Sequence, residues 1–109
     1  MENIYVEKEN EKYSSYEGTV YNKDKTELII IPEGKKSVTV FGNVDFSKSE
    51  LSPFNSKRNL EEIVLLDGIK EIPADTFNSC TGLQKITIPE SVNKIDEWAF
   101  TNVNLNQLT

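Results

Sequence analysis

The sequence predicts a mainly β fold with short helical or 3-10 segments, built as a solenoid of about 23-residue repeats with an N-terminal β-hairpin insertion. Three observations predict it: apolar residues recur at an offset of 23, they alternate within each repeat, and polar turn formers separate two β-rich runs near the N-terminus. The matches at this offset are Leu60/Leu83, Ile63/Ile86, Leu65/Ile88, Ile69/Val92, Ile72/Ile95, Phe77/Phe100 and Cys80/Val103. Such a pattern indicates that each repeat buries its apolar face by stacking on its neighbours.

We predict a single domain over residues 1–109, in which one rung is one circuit of the chain around the stack. Val38 and Val40 reproduce the spacing of Ile63 and Leu65, and two extra residues lengthen this third repeat within 45–53. Both termini fall inside a rung, which favours a piece of a longer array over a small protein with open ends. The predicted divisions are a partial rung at 1–7, a hairpin-bearing variant at 8–36, an irregular repeat at 37–59, repeats at 60–82 and 83–104, and the start of a further repeat at 105–109.

The N-terminal third of the sequence predicts a strand followed by a β-hairpin. Ile4 and Val6 alternate with polar residues, which favours a strand in the first rung over a helix. The runs at 19–21 and 27–31 are rich in β-formers and flank the polar stretch 22–26, which is typical of a β-hairpin. Pro32 and Gly34 cannot easily continue a ladder, so they predict a corner.

The two regular repeats predict the same course of the chain around the core. Ile63 and Leu65 point inward from a short strand, and Ile69 with Ile72 turns a second extended segment toward the same core. The stretch 74–79 predicts a short helical turn or irregular arc that carries Phe77 inward. It is too short to be stable as an isolated helix, so packing has to hold it.

Composition argues against several classes of function. The net charge is −6 and basic residues are scattered, so we expect neither nucleic-acid binding nor attraction to anionic membranes, and no apolar run is long enough for membrane insertion. The sequence contains no histidine and a single cysteine, Cys80, which aligns with Val103 and is interpreted as a buried small hydrophobe. We therefore predict no catalytic residues, no metal site and no cofactor.

Two weaker patterns have structural alternatives. Asp67, Glu71 and Asp75 recur at a spacing of four, but solvated carboxylates explain them better than a cation site does. Trp98 could stack on a ligand, and a half-buried position in the wall of the arc is the favoured interpretation.

The repeats resemble a known family. The segment LEEIVLLDGIKEI at 60–72 and the segment LQKITIPESVNKIDEWAF at 83–100 are similar to the unit LxxIxIPxxVxxIxxxAFxxCxx of BspA-like leucine-rich repeats, and 13–26 resembles a hairpin-bearing variant of that unit. Val103 departs from the family's frequent cysteine, and Thr76 from its usual alanine. The resemblance implies a leucine-rich-repeat solenoid from a secreted or cell-surface protein, of the bacterial and protist kind that binds host or matrix proteins. It provides no catalytic residues to carry over.

Side-chain parity predicts where a ligand would bind. If Ile63 and Leu65 face the core, their neighbours face outward and align across rungs in three columns. The predicted binding residues on this face are Tyr5, Phe41, Glu62, Val64, Leu66, Lys85 and Thr87. The alternative is that β-propensity accounts for the apolar members, or that the hairpin or a neighbouring molecule covers them.

The favoured function is a non-enzymatic protein-interaction or adhesion module, extracellular or at the cell surface, whose partner is a protein or a cell-surface or matrix ligand. The alternatives are a structural spacer that presents another domain and, less favoured, an enzyme accessory domain. Open ends also predict end-to-end self-association.

Overall fold

The N-terminal part of the chain forms a three-stranded antiparallel sheet. The structure, a computed structural model, describes residues 2–48 and 52–103. Strands β1 (Tyr13–Tyr16), β2 (Thr19–Asn22) and β3 (Leu28–Ile30) pair in chain order and form what we call the meander. Glu17 and Gly18 both have positive φ, of 50° and 84°, as the two-residue hairpin turn between β1 and β2 requires. The side-chain oxygen Oδ1 of Asn22 accepts hydrogen bonds from the backbone of Thr26 and Glu27, which closes the second turn.

The rest of the chain forms two parallel sheets. Strands β4 (Ser37–Val40), β5 (Glu62–Leu65) and β7 (Lys85–Thr87) make the first, which we call the parallel sheet, and β6 (Glu71–Ile72) pairs with β8 (Lys94–Ile95) in the second. The register sets Val38 beside Ile63 and Ile63 beside Ile86, and in the second sheet Ile72 lies beside Ile95. Partners along β5/β7 and β6/β8 are therefore 23 positions apart in the sequence.

Turns, and not strands, form the third side of the stack. Backbone hydrogen bonds join the turns of successive rungs, from Phe77 N to Ala99 O at 2.9 Å and from Ser79 N to Thr101 O at 2.8 Å. The stretch 74–79 consists of turns, so it takes the irregular form of the predicted arc and not the helical one. Within the described residues the helical content is one 3-10 turn, Phe46–Lys48, which makes the fold mainly β.

The core is a narrow column inside the stack. The rings of Phe54 and Phe77 lie 4.9 Å apart, and those of Phe77 and Phe100 lie 5.2 Å apart, so one aromatic position repeats along the column. Cys80 is fully buried beside them, as its alignment with a valine predicts. The buried apolar residues of the core are Val20, Tyr21, Leu28, Ile31, Val38, Val40, Val44, Phe54, Leu60, Ile63, Leu65, Ile69, Ile72, Phe77, Cys80, Leu83 and Ala99.

The first predicted strand does not form. Residues 2–7 contain no strand, and instead Ile4 N donates to Gly18 O at 2.9 Å and Val6 N donates to Ser15 Oγ at 2.9 Å. These two irregular bonds hold the segment beside the β1–β2 hairpin without forming a ladder, and both apolar side chains remain half-buried. The prediction that Ile4 and Val6 lie in a strand is wrong. The predicted further repeat at 105–109 lies outside the described residues.

Candidate binding face

The outward face of the parallel sheet begins with a row of polar residues. Ser37, Glu62 and Lys85 are direct neighbours in the register of β4, β5 and β7. The Nζ atom of Lys85 lies 4.0 Å from an Oε2 of Glu62, and the two side chains are 58% and 44% exposed. An ion pair this long and this exposed contributes little to stability, so both charges remain available to a ligand.

A more apolar strip runs next to this row. Thr39, Val64 and Thr87 are aligned on the three strands, with Val64 half-buried on the central one. Leu66 follows directly after β5 and is 36% exposed. Five of the seven predicted site residues therefore share one exposed face, which we call the strand face. It consists of four residues on β5 and β7 and of Leu66, which follows β5: Glu62, Val64, Leu66, Lys85 and Thr87.

Phe41 does not belong to the open part of this face. Its ring lies 4.9 Å from that of Tyr16 and 5.4 Å from that of Tyr21, both in edge-on geometry, and the ammonium of Lys25 lies 5.6 Å from the ring centroid. The meander thus covers Phe41, because a large aromatic side chain is more stable against other rings than in water. Phe41 is half-buried, and its contacts with Tyr16 and Tyr21 agree with the alternative that the hairpin covers part of this ring, so its membership of the binding site stays a prediction.

Tyr5 is exposed but lies elsewhere. Its side chain is 77% exposed, on the segment that bonds to the β1–β2 hairpin and not on a strand in register with Thr39. Strand pairing therefore aligns Thr39 with Val64 but does not add Tyr5 to them. Because residues 2–7 form no strand, parity cannot predict the position of Tyr5.

The titratable groups show no activated nucleophile among the described residues. Burial raises the pKa of the Cys80 thiol to about 11, and its Sγ donates to the carbonyl of Phe54 at 3.0 Å. The exposed carboxylate of Glu33 has a lowered pKa because Lys57 bonds to it at 2.8 Å. In the part of the chain that the structure describes, no three His, Cys, Asp or Glu side chains converge as a metal site would require.

The sequence also missed three exposed apolar residues in the last repeat that the structure describes. Ile88 and Ile95 were predicted to be core residues, yet they are 39% and 47% exposed, and Trp98, predicted to be half-buried, is 62% exposed. The position in the array explains the difference in exposure. Leu65 and Ile72 correspond to Ile88 and Ile95 one rung earlier, and they are buried because the following rung covers them. The repeat alignment carries this signal, because β7 and β8 are edge strands among the described residues and no described rung follows them.

Comparison with known proteins identifies relatives of this arrangement. The family model described as "BspA type Leucine rich repeat region (6 copies)" matches residues 50–109. The solved structure titled "The Crystal structure of Pneumococcal vaccine antigen PcpA" is similar with a TM-score of 0.63 and 30% sequence identity. The similarity covers 84% of this chain and 22% of that chain, so this chain spans a minor part of the PcpA chain. No curated protein matches the sequence. None of the described residues forms a helix with the length and hydropathy that a bilayer crossing requires.

Proposed function

Because this chain belongs to the BspA-type leucine-rich repeat family, we propose that it is a non-enzymatic protein-interaction and adhesion module of a secreted or cell-surface protein. The strand face is the observation that carries the proposal. It presents an apolar strip at Val64 and Leu66 beside the opposite charges of Glu62 and Lys85. A partly apolar centre with a polar rim is the composition that protein interfaces share. The similarity to a pneumococcal vaccine antigen supports an extracellular or surface location.

The architecture we propose for the module is one solenoid of about 23-residue repeats, with the meander inserted before the first parallel strand. The equal offset of 23 in both parallel sheets supports it, since β5/β7 and β6/β8 advance by the same number of residues. A rigid stack suits recognition because side chains on paired strands are fixed relative to one another before a ligand arrives.

The size of the face limits the ligand. Three strands about 4.8 Å apart, each three or four residues long, span roughly 10 Å by 13 Å. A stable interface needs about 800 Å² from each partner, several times this area. The strand face therefore suits an exposed loop or an extended peptide of a larger protein, and neighbouring surface has to contribute the rest.

The test changes the centre of the strand face and leaves the core intact. We expect Val64→Lys with Leu66→Lys to retain the circular dichroism and thermal midpoint of the parent within a few degrees, because both positions face outward. Proteins captured from host-matrix and cell-wall extracts are identified with the parent chain, and Kd is then measured for each. The double variant should raise Kd about tenfold or more, since two lysines desolvate poorly in an apolar contact.

The control makes the same change in net charge, +2, away from the strand face. Thr81→Lys with Glu90→Gln alters two exposed residues and should leave Kd unchanged. Equal loss of binding in both variants would show a general charge effect and contradict the assignment to this face. If the parent chain captures nothing above the level of unloaded resin, the chain is a spacer and the proposal fails.

A further inference from the structure

A polar groove lies on the turn side of the stack, and none of its lining residues belongs to the strands of the parallel sheet. The turn at 73–78, the turn one rung earlier and the 3-10 turn line this groove, which has a volume of about 420 Å³. That volume lies within the range of small-molecule sites. Among the described residues that line it, Asp75 is the only one with a charge, so the groove suits a polar ligand without a negative charge.

Two asparagines hold fixed positions along the groove. Asn55 and Asn78 are 23 positions apart, and Nδ2 of Asn78 donates to Oδ1 of Asn55 at 3.1 Å. This bond orients both amides before a ligand arrives. Among the hydrogen bonds of residues 2–48 and 52–103, none uses Nδ2 of Asn55, and the residue is only half-buried. The groove therefore has a positioned amide donor available to a ligand.

Asp75 supplies acceptors beside these amides. Its side chain is exposed, and within the described residues its carboxylate accepts one bond, a long one of 3.5 Å from Thr101 Oγ1. The backbone of Asp75 has a positive φ of 62°, which Asp and Asn tolerate better than most other residues. A hydroxyl group both donates and accepts, so an amide donor and a carboxylate acceptor in one groove match neighbouring hydroxyls of a ligand.

Trp98 adds an aromatic surface next to Asp75. It occupies the same position one rung later, where Asp75 N donates to Trp98 O at 3.0 Å, and its side chain is 62% exposed. The exposure belongs to this position in the repeat, because Asp75 is exposed although the rung that contains Trp98 follows it. Rungs lie about 4.8 Å apart, a step that a disaccharide can span.

We propose that the groove and Trp98 together form a binding site for a neutral glycan. One sugar ring would place its apolar C–H face on the indole, which has the largest aromatic surface of any side chain. The hydroxyls of the next ring would bond to Asp75 and Asn55. The carboxylate and the net charge of −6 disfavour anionic sugars. This site lies outside the strand face and takes a different class of ligand from the protein partner proposed there.

The test uses Trp98 as its own reporter, because it is the only tryptophan in the 109-residue chain. The parent is titrated with lactose, maltose and N,N′-diacetylchitobiose, which differ in their sugars and carry no charge. At least one should shift the tryptophan emission to shorter wavelength and reduce its quenching by acrylamide, with a Kd of about 1 mM or below. The anionic probe 3′-sialyllactose should show no saturation in this range.

Variants assign the binding to these residues, with Kd measured by isothermal titration calorimetry. Asp75→Asn keeps the size of the side chain and its tolerance of positive φ, and should raise Kd about tenfold through loss of the carboxylate. Trp98→Ala should raise it similarly, whereas Trp98→Tyr keeps an aromatic ring and should stay within about threefold of the parent. Asp67→Asn and Tyr5→Ala make matched changes at exposed positions outside the groove and should leave Kd unchanged.

Three results would overturn the proposal. The first is that none of the three neutral disaccharides saturates the signal up to about 20 mM. The second is an equal rise of Kd in Asp67→Asn and Asp75→Asn, which would show a general charge effect. The third is a shift of the tryptophan emission by a gelatin digest and by no sugar, which would make the groove a peptide site. Val64→Lys with Leu66→Lys leaves the groove intact and should retain sugar binding, so the two proposed sites can fail separately.

Discussion

At the scale of single residues, the alignment of Cys80 with Val103 was the most informative observation about the thiol. The side chain is fully buried, its Sγ lies 3.0 Å from the Phe54 carbonyl, and burial raises its pKa to about 11. A thiol with a raised pKa holds its proton, and the thiolate is the reactive form. Cys80 therefore contributes to core packing. Because its pKa is raised in the folded chain, we expect the fold to lose stability at alkaline pH.

The first prediction concerns that pH dependence. The folded pKa of Cys80, about 11, exceeds the ordinary 9.0, so its contribution to the free energy of unfolding is complete below pH 9 and is lost as pH rises toward 11. A shift of this size corresponds to a loss of about 2–3 kcal/mol above pH 11. Urea denaturation from pH 7 to pH 11 should show this decline in the parent.

The variant Cys80→Val serves as the matched comparison, since it takes the residue found one rung later and nearly conserves volume. Its stability at pH 7 should lie within about 1.5 kcal/mol of the parent. Its alkaline decline should be smaller, because the raised pKa of the buried Tyr21 hydroxyl still contributes to it while the thiol contribution is gone. Parallel pH profiles for the two proteins would show that the thiol does not titrate with unfolding.

At the scale of elements, the sequence predicted pairing where period and turn chemistry agree. Alternation in 62–65 and 85–87 predicts strands β5 and β7, and the polar turn formers at 22–26 connect β2 to β3, with Asn22 as the last residue of β2. The alternation of Ile4 and Val6 failed as a strand signal because two apolar residues cannot determine a pairing partner, and the nearby β1–β2 hairpin offers acceptors. Long-range contacts are not encoded in the local pattern, so the sequence offered cover by the hairpin as an alternative but could not identify Tyr16 and Tyr21 as the residues that contact Phe41.

The turns that follow β4 and β5 yield the second prediction, since they touch through their backbones. A Cβ atom at Gly42 would lie 1.9 Å from the carbonyl oxygen of Asp67 and 3.1 Å from the Cα of Gly68. Backbone cannot yield as a flexible side chain does, so the rungs would have to separate locally. Gly42→Ala should lower the free energy of unfolding by roughly 1–3 kcal/mol in urea denaturation. Asn43→Ala, at the exposed neighbour in the same turn, should change it by less than about 0.5 kcal/mol, and equal effects would refute the steric explanation.

At the scale of the whole molecule, the meander and the parallel sheet share one core. Tyr21 is fully buried, and its hydroxyl donates to the backbone carbonyl of Thr39, on β4. The backbone of Asp45 also bonds to Thr26 O, at 3.3 Å, from the loop after β4 to the meander. The radius of gyration, 13.2 Å, is that of a compact domain of this length. The meander therefore acts as a cover for the first parallel strand, and the two parts should unfold together.

Removal of the Tyr21 side chain tests this coupling. Tyr21→Ala deletes a buried aromatic ring and should cost about 3–5 kcal/mol, a large fraction of the 5–15 kcal/mol typical of a domain. Hydrogen exchange followed by mass spectrometry should then show lost protection in β4 as well as in β1 to β3, because the opened end of the column exposes Val38 and Val40 to water. Tyr13→Ala, at a position 43% exposed on β1, should leave both regions protected. Loss confined to the meander in Tyr21→Ala would show that the parallel sheet is stable without its cover, and would make the meander an independent attachment.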